Sequence, residues 1–305
     1  MSVESCMRKI VVSGATSMLG TALINVAVEN NVEVYALVRN NPNRLSRIED
    51  LPGVHLIFAD IASLGEVKDI PTDCDVFYHF AWAGTSKEQR EDAYIQENNI
   101  RYTLDAVDLA HRCGCKKFVG AGSQAEYGPT EGVIDDATRC NPVTAYGAAK
   151  LSAGILSKKL CEKYGMIHIW TRVFSVYGPH DNAGTMLNYA IDKFSKKEEA
   201  RFSAATQMWN YLYETDAGMM FYLIGEKVEE SKLYRFANRD SRPLKEFIYD
   251  IASYMHSEDK CIFAEEESCA CGIETCDDSL FSDIDYQPQV GFRFGIKSII
   301  SARNE

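Results

Sequence analysis

Lys9-Ile10-Val11-Val12-Ser13-Gly14-Ala15-Thr16-Ser17-Met18-Leu19-Gly20 is the stretch that decides the fold. Its apolar opening is the pattern of a strand buried on both faces of a parallel sheet. The run passes through a glycine-bounded turn into a helical pattern over 21–29. Gly14 allows the tight turn, and Gly20 allows the helix to pack closely on the strand. The helix N-terminus then offers free N–H groups and a positive dipole end to a pyrophosphate. Ser17 stands where the usual dinucleotide pattern has its middle glycine, which narrows the phosphate approach. Gly14, Thr16, Ser17, Met18, Leu19 and Gly20 are therefore candidate cofactor contacts.

Further strands are expected at 32–38, 54–58, 76–80, 117–121 and 167–174, with long helices at 93–113 and 146–164. Strand alternating with helix predicts a parallel sheet with right-handed crossovers. After Pro179 the rhythm loosens. Helices are expected at 186–196, 215–224 and 244–255, short segments of unassigned type at 201–203 and 209–213, and a strand at 232–237. The expected class is α/β: a Rossmann-type doubly wound parallel sheet with a smaller C-terminal substrate-binding α/β lobe. The dinucleotide domain is expected over 1–174, with segments near 205–237 returning to it, and the lobe mainly over 175–305.

Strand ends carry the next candidates. The second ends at Arg39, where an acidic residue would hold a ribose diol; a cation suits a 2′-phosphate and points to NADP, with NAD as the alternative. A solvent-facing arginine at a loop mouth is the plainer reading. The third strand ends at Asp60-Ile61, where Asp60 accepts from an adenine amino group or caps the next turn. The fourth ends at Phe80-Ala81-Trp82, small enough at Ala81 for backbone to lie against a cofactor. Ser123 falls just beyond the fifth strand, where ligands bind in open α/β sheets.

Asn141-Pro142-Val143-Thr144-Ala145-Tyr146-Gly147-Ala148-Ala149-Lys150 reads as a helix start, with Pro142 in the first turn and Thr144 a nearby cap. The spacing puts Tyr146 and Lys150 on one face, a turn apart. A phenol titrates near pKa ~10 in water, and a neighbouring ammonium favours its phenolate. By itself such a pair is ordinarily a half-buried aromatic beside a solvated charge.

The chain has 305 residues, enough for one large or two modest cores. Its net charge of −12 argues against a nucleic-acid surface. No long apolar run or leader-like N-terminus is evident, so neither a membrane span nor secretion is expected and the cytoplasm is the default. The ten cysteines are then expected to be mostly reduced thiols. Cys269, Cys271 and Cys276, with Cys261 upstream, do not have a standard zinc spacing, and no metal is expected.

These residues together resemble the extended short-chain dehydrogenase/reductases, the nucleotide-sugar epimerase/dehydratase/reductase group. The resemblance rests on the Gly14–Gly20 turn, Tyr78-His79-Phe80-Ala81, Ser123 before Tyr127-Gly128, Tyr146-x-x-x-Lys150, and Arg172-Val173-Phe174-Ser175-Val176-Tyr177-Gly178-Pro179. Later echoes are Asn210-Tyr211-Leu212-Tyr213 with Asp216, and Asp283-Ile284-Asp285-Tyr286-Gln287-Pro288. The resemblance implies Tyr146 as general acid/base, Lys150 as the group that tunes it and holds the nicotinamide ribose, and Ser123 as a hydrogen-bond partner of the sugar oxygen. It places Phe174 near the cofactor and gives Asn99 as either structural or near the cofactor, with Gln124 and Ser175 near the substrate. An Arg that the family often carries near Trp209 is missing, so Arg201, Arg172 or Arg242 are the substitute phosphate partners, and Gln207 and Trp209 are candidates for the nucleotide or sugar. Gln124-Ala125 replaces the acidic pair of 4,6-dehydratases, which argues against that reaction.

The implied activity is NAD(P)-dependent reduction of a 4-keto group on a nucleotide-linked sugar. A nucleotide-sugar 4-epimerase is the alternative, and a non-catalytic NADP(H)-binding regulator is the alternative of another class. A homodimer is implied through a four-helix bundle of 93–113 and 146–164.

Overall fold

The computed structural model describes residues 7–130, 132–181, 184–265, 272–275 and 277–303. The chain opens with β1 (Lys9–Ser13), α1 (Met18–Glu29), β2 (Glu33–Val38), the single turn α2 (Pro42–Leu45), β3 (Val54–Phe58) and β4 (Val76–His79). It continues through α3 (Ala93–Arg112), β5 (Lys117–Ser123), the short β6 (Val133–Ile134), α4 (Ala145–Tyr164), β7 (Ile167–Val173) and β8 (Ser175–Tyr177). Next come α5 (Met186–Ser195), β9 (Ala200–Phe202), β10 (Met208–Tyr213), α6 (Glu214–Lys227), β11 (Lys232–Phe236), β12 (Ser241–Pro243) and α7 (Leu244–Tyr254). The last elements are β13 (Cys261–Phe263), β14 (Glu274–Thr275), α8 (Asp278–Ile284) and α9 (Phe292–Ala302).

Seven strands form one sheet in the order β11-β7-β5-β4-β1-β2-β3, all paired in parallel. The order runs outward from β1 in both directions, so a crevice opens at the carboxyl ends of β1 and β4, where a doubly wound sheet binds its ligand. Side chains alternate across the sheet. Ile10, Val12 and Tyr78 join the core that includes α1 and α6, with Leu23, Phe221 and Ile224. Val11 and Phe77 join the core with Ala106, Val107 and Leu109 of α3. Each fully buried Leu, Ile or Phe contributes roughly 1.5–3 kcal/mol of hydrophobic free energy, so these two layers hold the sheet rigid beneath the crevice. A separate core gathers Tyr177, Leu187, Phe194, Tyr211, Phe247 and Phe292 from β8, α5, β10, α7 and α9. Beside it, β12, β10 and β8 form a three-stranded sheet.

The observed bounds differ from the expected ones where capping decides. Helix α1 starts at Met18 because Ser17 caps it, its Oγ accepting from Gly20 N at 3.1 Å. Helix α4 starts at Ala145 under Thr144, whose Oγ1 accepts from Gly147 N at 3.0 Å. Pro142 therefore lies ahead of the cap and not in the first turn. Strand β5 runs two residues further than expected because Gly122 and Ser123 still pair with β7. Ser123 is thus its last residue. The tail resolves into two helices that sequence periodicity did not separate.

Candidate active site

A groove of about 660 Å³ crosses the carboxyl ends of β1, β2 and β4. Gly14, Thr16, Ser17 and Met18 form its floor at the start of α1. Arg39, Asn41, Arg44 and Arg47 follow β2, and Ala59 and Ile61 follow β3. Phe80, Ala81 and Trp82 follow β4. His180 and Asp181 close the far side.

Gly14 sits at φ +72°, and a Cβ there would lie 2.6 Å from Ala81 N. A Cβ on Gly20 would lie 2.4 Å from the Gly14 carbonyl oxygen. Both glycines are therefore required by contact, since a side chain at either would strike the backbone of the turn or of the segment after β4. The first turn of α1 holds no acidic residue. The floor is thus an anion site made of backbone N–H groups and a helix dipole, with arginines at one end. Those donors fit a nicotinamide dinucleotide. Arg39 and Arg44 form no ion pair among the described residues, and Arg47 donates to the Thr16 carbonyl at 3.1 Å.

Trp82 leads from this groove to the reacting end. Its indole donates to Gln96 Oε1 at 2.8 Å, which fixes the ring. The ring stands edge-on to Tyr146, with centroids 5.9 Å apart, and lies under Lys150 Nζ at 3.7 Å. Tyr146 and Lys150 are both buried. Lys150 donates to the Ala121 carbonyl at 2.6 Å. Burial pushes its amine down to about 7, the nearby Glu126 opposing that shift and Arg90 adding to it.

The cation facing the phenol comes from outside the helix. The Arg90 guanidinium lies 4.4 Å from the Tyr146 ring centroid, against 5.9 Å for Lys150 Nζ. Tyr146 N also donates to the Arg90 carbonyl at 2.9 Å. Burial raises the phenol above its ordinary range, while Arg90 and a hydrogen bond with Ser123 draw it back. The four groups thus form one cluster: a phenol, a hydroxyl, an amine of near-neutral proton affinity and a guanidinium. Such a set can hold and pass a proton at a sugar oxygen while the hydroxyl orients that oxygen.

Other expected contacts fall elsewhere. Asp60 is exposed and caps the turn after it, accepting from Ala62 N at 3.0 Å, so the capping alternative is the one realised. Asn99 holds both the N–H and the carbonyl of Ala83, at 2.8 and 2.9 Å, and so shapes the loop under the groove without lining it. Leu19 and Gly20 pack inward behind the turn. Phe174 is buried with Tyr127 and Ile134. Ser175 begins β8 and is half-buried. Gln124 follows Ser123, its Oε1 buried without a partner among the described residues. Trp209 is half-buried against Tyr211.

Arg201 is exposed and paired with Glu199 at 3.0 Å, away from the groove's lining residues. It lies on the short edge strand β9, so its alternation carries it outward. Arg172 is bound to Glu126, and Arg242 to Asp250 at 2.7 Å, so neither is free for a phosphate. Six cysteines are described, all free thiols. Cys269, Cys271 and Cys276 lie outside the described residues.

Sequence reasoning missed Arg44, Arg47, Arg90 and His180. The spacing of Arg39, Arg44 and Arg47 around a one-turn helix was the available signal for the first two. His180 accompanies a buried carboxylate, Glu214, at 2.8 Å, which only the fold brings together.

The sequence profile of the NAD dependent epimerase/dehydratase family matches residues 10–238. ADP-L-glycero-D-manno-heptose-6-epimerase of Nitratidesulfovibrio vulgaris is 28% identical over 185 residues, covering 56% of this chain and 54% of that protein. The dTDP-6-deoxy-L-talose 4-dehydrogenase (NAD(+)) of Aggregatibacter actinomycetemcomitans is 28% identical over 144 residues, covering 46% of this chain and 51% of that protein. The chain thus spans about half the length of these curated relatives. Among solved structures, UDP-glucuronic acid 4-epimerase of Bacillus cereus in complex with NAD superposes with a TM-score of 0.84 at 18% identity, over 96% of each chain. UDP-N-acetylglucosamine 4-epimerase of Methanobrevibacter ruminantium gives 0.83 at 18% identity, over 97% of this chain and 99% of that one. At such identity the likeness shows the fold.

Proposed function

The chain belongs to the NAD dependent epimerase/dehydratase family of extended short-chain dehydrogenase/reductase enzymes, and on that premise we propose that it moves a hydride between a nicotinamide dinucleotide and a ring carbon of a nucleotide-linked sugar. The packing of Tyr146 and Lys150 against Trp82, which lines the groove, with Ser123 bonded to Tyr146, carries this reading. The direction we favour is reduction of a 4-keto sugar with NADPH. Arg39 and Arg44, at the end of β2 where an adenine ribose would lie, support the phosphorylated cofactor.

When bound, the dinucleotide supplies the hydride. The chain supplies the rest. The Gly14–Met18 turn and the α1 N-terminus would hold its pyrophosphate. Trp82 and Lys150 would hold its ribose. Tyr146 gives its proton to the sugar oxygen as that oxygen gains charge, and Ser123 donates a second hydrogen bond to it. Lys150, seated on Trp82 and donating to the Ala121 carbonyl, keeps an amine beside that proton transfer.

A second reading, an NAD-retaining 4-epimerase, is favoured by the named activities of the two solved structures and by the NAD bound in the Bacillus cereus one. Incubation with NADPH carrying deuterium at C4 and a panel of nucleotide-linked 4-keto sugars separates the two. Deuterium at C4 of the reduced sugar, with NADP+ released, supports reduction. Interconversion of sugar epimers without net cofactor oxidation supports the epimerase. We also propose a homodimer through α3 and α4, which leave Tyr94, Ile155 and Leu156 exposed. Sedimentation of a monomer at micromolar concentration would contradict that pairing.

A further inference from the structure

A buried carboxylate lies directly behind the reacting serine. Glu126 is wholly inaccessible to solvent. Its Oε1 accepts from Ser123 N at 2.8 Å and from Trp170 Nε1 at 3.0 Å, and its Oε2 accepts from Arg172 Nε at 2.8 Å. The chain makes room for this network. A Cβ on Gly122 would lie 2.4 Å from Glu126 Oε1 and 2.3 Å from Trp170 Nε1, and a Cβ on Gly154 would lie 2.7 Å from the Trp170 ring. The acidic pair of the dehydratase pattern is replaced by Gln124-Ala125, so the one carboxylate of this turn points away from the groove and into the protein.

We infer that Glu126 is a positioning residue: it fixes Ser123 through the serine's backbone N–H, and it sets a fixed negative charge behind the Tyr146–Lys150 pair. A buried ion pair is costly to form and is not needed for core stability, since apolar residues of like volume would pack as well. A single carboxylate in the turn after β5 that bonds two residues of β7 and holds Ser123 is explained by placement. Its charge opposes loss of the proton from both Lys150 and Tyr146. The charged and titratable groups around the pair are Arg90 from the loop before α3, Ser123 and Glu126 at the end of β5, and His79 at the end of β4. Those around Glu126 are Arg172, which stacks 4.5 Å from the Tyr127 ring, and Cys140.

This inference rests on Ser123 and Tyr146 being the reacting pair, yet its test does not use turnover. The phenolate of Tyr146 is titrated in the full chain by near-ultraviolet absorbance, with the matching Tyr146→Phe protein as blank. In Glu126→Gln/Arg172→Met, which keeps the acceptor oxygen and removes both buried charges, the midpoint should fall by about half to one pH unit. Glu126→Gln alone should show a larger fall with lower thermal stability, because the Arg172 cation is left unpaired. A midpoint equal to wild type in the double variant overturns the electrostatic role. Ser123→Ala should raise the midpoint in the wild-type and Glu126→Gln/Arg172→Met backgrounds. It should leave the midpoint unchanged in Glu126→Ala/Arg172→Met, where the serine has lost its anchor. Equal rises in all three overturn the positioning role. If Tyr146→Phe keeps hydride transfer, the reading of Tyr146 falls independently, and the titration still reports on Glu126.

Discussion

At the scale of single residues, the sequence placed Tyr146 and Lys150 on one helix face, and the fold keeps them together but divides their work. The phenol faces Arg90, while the amine lies on Trp82 and the Ala121 carbonyl. The Tyr-x-x-x-Lys spacing was legible because helical periodicity alone determines it. The Arg90 contact was not, because it joins a loop to a helix more than fifty positions away in sequence. Arg90→Met should raise the Tyr146 midpoint in the same absorbance titration, since it removes the charge that draws the phenol down. No change would assign that effect to Lys150 after all.

Lys150 has its own signature in stability. Its folded proton affinity is depressed to about 7 from the ordinary 10.5. Between those values the unfolded chain holds a proton that the folded chain does not, so this group's contribution to stability rises with pH across the window. It is fully present above the ordinary value and lost as pH falls to about 7. Lys150→Met should therefore gain stability relative to wild type as pH is lowered from 10 to 7, by on the order of a few kcal/mol. Denaturant melts at several pH values measure this, and a pH-independent difference would contradict the burial argument.

At the scale of elements, the strand–turn–helix unit was readable because every requirement is local. An apolar run makes the strand, and Gly14 makes the turn. What was not read was the cap: the sequence marked Ser17 only as a cofactor contact, and in the fold its Oγ also accepts from Gly20 N while the residue still lines the groove. Gly14→Ala should abolish dinucleotide binding and cost at least about 1–3 kcal/mol, because φ +72° and the 2.6 Å approach to Ala81 N are both forbidden to it. Near-wild-type NADPH binding by fluorescence would show that the turn relaxes. The Glu126–Arg172 contact illustrates the opposite case. It joins β5 to β7 across α4, and no period in the sequence marks it.

At the scale of the molecule, the parallel sheet and the returning strand β11 follow from alternating patterns, and the groove follows from the strand order at β1 and β4. The arginines after β2 carry the proposal that the groove takes the phosphorylated cofactor. Arg39→Ala/Arg44→Ala should lower the preference for NADPH over NADH by tenfold or more while leaving NADH binding nearly unchanged. An unchanged ratio would remove the case for the phosphorylated cofactor. Near 175–305 the sequence was least informative. Its core is assembled from five short, separate elements whose pairing depends on the tertiary fold rather than on local period.

The most direct test of the central claim, a groove that exchanges a phosphorylated nicotinamide dinucleotide to reduce a sugar, is to denature the purified protein and identify the released nucleotide by chromatography and mass spectrometry. Protein that releases NADP(H), or releases no dinucleotide and then takes up NADPH in preference to NADH, is the expected result. One NAD per chain, retained through purification, would contradict it and would assign the same residues to a recycling epimerase.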